Sequence, residues 1–135
     1  MKGYRMKFIT LGGVGAEANT YILIAYGCAA VVDPAVSIER ITAVLEKESA
    51  HLEAILLTHA HSDHTKTLGA LRKKHAAPLM LGKEDADMLY DARLNLSEYI
   101  LGFPETFDAA ERLLADGDTI QLGGERLTVL HLPGH

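Results

Sequence analysis

A chain of 135 residues, 48% apolar and 23% charged, has the make-up of one soluble globular domain long enough to bury a core. Its net charge of -5 argues against a nucleic-acid-binding surface, and no apolar run approaches the roughly 20 residues of a membrane span. The single cysteine, Cys28, excludes an internal disulfide, and the charged start of the chain is not a secretory leader; together they predict a cytoplasmic protein.

In chain order, residues 6–11 read as a first strand, ended by the turn Gly12-Gly13-Val14-Gly15. That glycine loop lacks the G-x-G-x-x-G spacing of a nucleotide fold and is read as a chain reversal. Strands at 20–25 and 29–33 follow, joined around Tyr26-Gly27 and stopped by Asp33-Pro34. Ser37 caps a helix whose apolar face is Ile38, Ile41, Val44 and Leu45. Residues 53–57 form an apolar run of the kind buried on both faces by flanking helices. Residues 67–75 are helical, 78–81 a short strand, 84–90 a helix, and 97–101 a short helix stopped by Gly102 and Pro104. Strands at 119–122 and 125–132 meet at Gly123-Gly124, a two-residue hairpin signal. The pattern predicts one α/β layered domain with a mixed sheet. Arg72-Lys73-Lys74 reads as a solvated helix end.

The chemistry concentrates in Thr58-His59-Ala60-His61-Ser62-Asp63-His64, directly after the strand at 53–57. Three histidines and an aspartate within six positions serve no packing need. At a strand end, where the chain turns, their donors can converge, and neutral imidazole and carboxylate are ligands that zinc and iron prefer. Of the other histidines, His131 reads as a core or supporting residue on a strand. His75 reads as a partner of free carbonyls at a helix end, and His51 as solvated in a connection. Asp33 either turns the chain before Pro34 or hydrogen-bonds the second nitrogen of a ligand histidine.

Residues 58–64 resemble the THxHxDH motif of the metallo-β-lactamase superfamily, and Pro133-Gly134-His135 resembles its second metal motif. The stretches Leu94-Asn95-Leu96-Ser97 and Asp116-Gly117-Asp118-Thr119-Ile120 look most like the hydroxyacylglutathione-hydrolase (glyoxalase II-like) branch. Asp33-Pro34 resembles the family's Asp-Pro-Gly, with Ala35 in place of the glycine, and Asn19 its Asn-x-Tyr start, with a loop-ordering role. The resemblance implies an αβ/βα sandwich of which residues 1–135 are the N-terminal portion, with a mixed sheet and flanking helices. It implies that His59, His61 and His135 hold one metal, and that Asp63 and His64 belong to a second. Asp63 would take the proton of a metal-bound hydroxide. Zinc, one or two ions, is the expected cofactor, with iron or manganese as alternatives.

The family's bridging aspartate and last histidine come from a C-terminal half that lies beyond His135. The expectation is therefore a partial sequence of a longer hydrolase, or, if 135 residues are the whole protein, self-association that completes the sandwich. The function expected is hydrolysis of a small-molecule thioester or related ester, with no nucleic-acid or membrane partner. Two alternatives stand beside it: a mononuclear iron persulfide dioxygenase, and a non-catalytic metal-binding fragment that acts by association.

Overall fold

Six strands pair side by side in the order of the chain, in a computed structural model that describes residues 6–15, 18–58, 61–101 and 103–128. They are β1 (Lys7–Leu11), β2 (Thr20–Ala25), β3 (Cys28–Val32), β4 (His51–Leu57), β5 (Leu79–Gly82) and β6 (Arg112–Leu114). The first three run antiparallel, and β3 to β6 run parallel. Helices α1 (Ile38–Lys47) and α2 (Leu68–Lys74) make the crossovers into β4 and β5, as parallel neighbours require. A seven-residue 3₁₀ segment (Lys83–Leu89) and α3 (Ser97–Leu101) lie between β5 and β6. A separate hairpin, β7 (Thr119–Leu122) and β8 (Glu125–Thr128), closes the described chain. No helix among the described residues is long and apolar enough to cross a membrane.

Period-two alternation gives the sheet two apolar faces with different covers. Ile22, Ile24, Val31 and Ile55 point toward Ile41 and Leu45 of α1 and Leu68 and Leu71 of α2. Each of those helical side chains contributes about 1.5–3 kcal/mol by leaving water. Leu23, Ala25, Ala30, Ala54 and Met80 point the other way, against Ile120, Leu122 and Leu127 of the hairpin. The expectation that helices bury 53–57 on both faces is thus corrected: helices cover one face of β4 and a β-hairpin the other.

Both hairpin turns are built on left-handed backbone. Tyr26 (φ 52°) and Gly27 (φ 77°) link β2 to β3, and Gly123 (φ 58°) opens the turn between β7 and β8. The second turn lies on the first: a Cβ on Gly123 would collide with the Ala25 carbonyl, and one on Gly124 would come within 2.8 Å of the Tyr26 ring. The glycines are thus required for docking as well as for the turn.

Ser37 caps α1 as expected, its hydroxyl accepting from the Arg40 N–H at 3.3 Å. Other expectations need correction. Strand β4 begins at His51, not at 53, so His51 lies on a strand, exposed, 3.4 Å from Glu53. Residues 83–89 form a 3₁₀ segment, not an α-helix. Strand β8 is described only to Thr128; residues 129–132, including His131, lie outside the described residues. Strand β6 was not anticipated. Arg72 is no solvated helix end: its guanidinium donates to the Asp108 and Ala109 carbonyls and meets Glu111 at 3.1 Å, clamping the approach to β6. The His75 Nε2 is buried with no hydrogen-bond partner among the described residues, so the expected carbonyl contact does not engage that nitrogen. Burial first, then the nearby positive charge of Lys74 and the imidazole of His51, hold its pKa below the ordinary 6.5.

Gly123→Ala should destabilise the protein by about 1–3 kcal/mol in urea unfolding, because Ala25 backbone must move. Gly69→Ala in α2, with open space around it, should instead stabilise by about 0.5–1 kcal/mol. For His75, the depressed pKa means that its contribution is present above pH 6.5 and is lost as pH falls through the folded-state value. Melting temperatures of wild type and His75→Gln should therefore converge on acidification; a constant gap from pH 7.5 to about 5 would refute this.

Candidate metal and catalytic site

Strand register brings the site residues to one end of the sheet. The β3–β4 pairing aligns Val32 with Leu56, and the Asp33 N–H continues the ladder to the Leu56 carbonyl at 2.9 Å. Asp33 thus stands beside Thr58 at the C-terminal ends of two parallel strands, where α/β sheets place ligands. The antiparallel pairing of Tyr21 with Val32 sets Thr20 opposite Asp33 on the other side.

After Thr58 the chain turns. Residues Ser62–His64 form one 3₁₀ turn, closed by the His64 N–H donating to the His61 carbonyl at 2.9 Å. His61 thus stands at the entrance of the turn that carries Asp63 and His64. The Ala18 N–H donates to the Asp63 carbonyl at 2.8 Å, tying the turn to the loop between β1 and β2. That loop is ordered in turn by Asn19, whose Oδ1 accepts the Gly13 N–H, and by Arg40, which donates to the Gly12 carbonyl. Helix α3 packs against the same 3₁₀ turn. Its approach is fixed by buried Asn95, which donates to the Met88 and Glu105 carbonyls, and by buried Ser97, which accepts the Glu105 N–H.

Asp33 is only 2% exposed. Its Oδ1 accepts the Thr58 N–H at 2.8 Å, and its Oδ2 accepts the Thr58 hydroxyl at 2.7 Å and His64 Nδ1 at 2.9 Å. A carboxylate only accepts, so the His64 proton resides on Nδ1 and the ring orientation is fixed. His64 Nε2 then faces Asp63 Oδ2 at 3.6 Å. Burial of His64 lowers its pKa, but the Asp33 hydrogen bond and the Asp33 and Asp63 charges outweigh that, leaving it above 6.5.

Of the residues expected from the sequence, Asp33, His64 and Asp63 are in contact and His61 joins them through its backbone carbonyl, whereas His59 and His135 lie outside the described residues. Among the described residues, no three His, Cys, Asp or Glu side chains form a group that could hold an ion. Sequence reasoning passed over Thr58 and Thr20. The first stands in the motif itself, and the second becomes visible only once β2 is registered against β3.

The mixed sheet, with helices on one face and the histidine-rich turn at the end of β4, has the fold of a known superfamily. Residues 14–135 match the model of the metallo-beta-lactamase superfamily, and the chain belongs to that family. It is 33% identical over 119 residues to the probable metallo-hydrolase YqgX of Bacillus subtilis, covering 88% of this chain and 56% of that protein. It is 30% identical over 109 residues to hydroxyacylglutathione hydrolase GloC of Haemophilus influenzae, covering 79% of this chain and 51% of that one. The chain spans about half the length of these curated relatives. Among solved structures, the BLEG-1 B3 metallo-beta-lactamase superposes with a TM-score of 0.84 at 31% identity, over 95% of this chain and 62% of its own. The resemblance to the glyoxalase II-like branch and the αβ/βα fold class both stand.

Replacing Asp33 with Asn puts an NH₂ where a donor now finds an acceptor. Urea unfolding of the metal-free protein should register a loss of about 1–3 kcal/mol. A loss within error of zero would mean that this carboxylate is not anchored by Thr58 and His64.

Proposed function

We propose that this chain carries the metal-binding turn and the catalytic carboxylate of a metal-dependent hydrolase that cleaves thioesters or related small-molecule esters. The observation behind this reading is the 3₁₀ turn Ser62–His64 directly after β4, on which buried Asp33 holds the His64 ring with Nε2 toward Asp63. Imidazole and carboxylate are donors suited to zinc, and acceptable to iron or manganese. In this reading His59, His61 and His135 hold one ion, and Asp63 and His64 a second. Asp33 fixes the His64 tautomer so that Nε2 is the nitrogen offered. The names of several relatives, hydroxyacylglutathione hydrolases, support a thioester as the substrate class.

A bound divalent ion supplies Lewis acidity and brings the pKa of water toward neutrality. The chain's own residues then manage position and protons. Asp63 accepts a proton from the attacking water, whose oxygen bonds to the acyl carbon. The C–S bond breaks, and the thiolate departs with the proton returned by Asp63. Ala18, fastened to the Asp63 carbonyl, and Asn19, which accepts the Gly13 N–H, border this turn. The single cysteine supports a cytoplasmic setting.

His61→Ala should remove metal and lower hydrolysis of a hydroxyacyl-glutathione thioester by more than the roughly ten- to hundredfold of an outer partner. His51→Ala, on an exposed strand start, should change neither. Metal content by elemental analysis and loss of thioester absorbance read the two effects. Full activity in the His61 variant would overturn the assignment.

A further inference from the structure

We infer that Thr20 is a positioning residue for His64, acting through Asp33: its buried hydroxyl holds Asp33 in the backbone conformation from which the carboxylate reaches the His64 ring. Thr20 is fully buried at the first position of β2. Its Oγ1 donates to the Asp33 carbonyl at 2.7 Å and accepts the Ala35 N–H at 2.9 Å and the Val36 N–H at 3.1 Å. That uses the one donor and both lone pairs of a hydroxyl. All three partners belong to the turn from Asp33 to Val36.

Asp33 has a φ of 55°, a left-handed conformation that L-residues other than glycine adopt at a cost. Such a conformation persists only where its surroundings over-determine it. Here the Asp33 N–H is fixed to the Leu56 carbonyl and its C=O to Thr20, so both ends of the residue are held. Relaxation of φ toward the extended region would swing the Cα–Cβ bond and carry the carboxylate away from Thr58 and His64. A second threonine bounds the consequence of losing the first. The Thr67 N–H donates to the Pro34 carbonyl at 2.8 Å, and its hydroxyl donates to the Val36 carbonyl. The turn therefore stays attached to α2 without Thr20, and what is lost is the aim of Asp33.

For metal affinity the inference rests on the reading of His64 as a ligand; for the ring itself it does not. The experiment uses the natural full-length protein with Thr20→Ser, which keeps the hydroxyl, Thr20→Val, which removes it at constant shape, and Thr20→Cys between them. In the metal-free protein, the imidazole Nδ1–H resonance of His64, protected by its bond to Asp33, is followed by NMR. It should persist in Thr20→Ser, weaken in Thr20→Cys and vanish or shift in Thr20→Val, as in Asp33→Asn. The cysteine variant keeps the comparison alive if the valine variant does not fold. Zinc affinity by chelator competition should fall about ten- to hundredfold in Thr20→Val and stay within about threefold in Thr20→Ser. Ile41→Val, a core change between the helix and the sheet, lowers stability without moving either readout if the role is positional. Retention of the resonance and of zinc affinity in Thr20→Val, or their loss in Ile41→Val, overturns the inference. A resonance that tracks the Thr20 series in a wild type that binds no zinc refutes the metal reading and leaves the positioning role standing.

Discussion

The carboxylate of Asp33 is out of water at the seam between β3 and β4, and it answers three donors there. A buried charge is tolerable only when its hydrogen bonds are complete. Two of the donors belong to Thr58 and one to His64, so the first and last residues of the histidine-rich segment fold onto the same group. This fastens both ends of the segment to one carboxylate. It also explains why the strand end and the turn cannot be varied independently: moving either would strand a charge.

The parts of the sequence that spoke clearly were those in which one residue type at one spacing has a single physical use. Ser37 ahead of Ile38, Ile41 and Leu45 is a capped amphipathic helix, and the structure has it. That Asp63 and His64 sit on a turn just after an apolar strand was legible as well. Asp33 was half legible: its two readings, a turn residue and a partner of histidine, coexist in the structure, since it turns the chain with a positive φ while its carboxylate meets His64.

What stayed unreadable depended on partners far away in sequence. The role of Thr20 follows from the register of β2 on β3, which no local pattern states. The region from 94 to 110 resists reading because buried amide and hydroxyl groups hold it, those of Asn95 and Ser97, in place of an apolar stripe. Acidic residues at the start of 83–89 suggested an α-helix, yet the segment takes the tighter 3₁₀ form. Strand β6 has three residues, too few to alternate visibly, and two of them are exposed. The second face of β4 was misjudged because a continuous apolar run says that a strand is covered and not by what.

The Arg72 clamp bears on the order in which the molecule comes apart. Strand β6 meets its neighbour through three residue pairs, and a guanidinium shared among Asp108, Ala109 and Glu111 supplies much of what keeps it there. Glu111 reciprocates by accepting the Leu79 N–H, so one exposed ion pair bridges α2, β5 and the lead-in to β6. Exposed charged contacts are screened by salt, whereas buried ones such as Asp33 with His64 are screened much less. Added salt therefore acts first on this margin, through an ion pair open to water, while the buried contacts of Asp33 with Thr58 and His64 are screened far less.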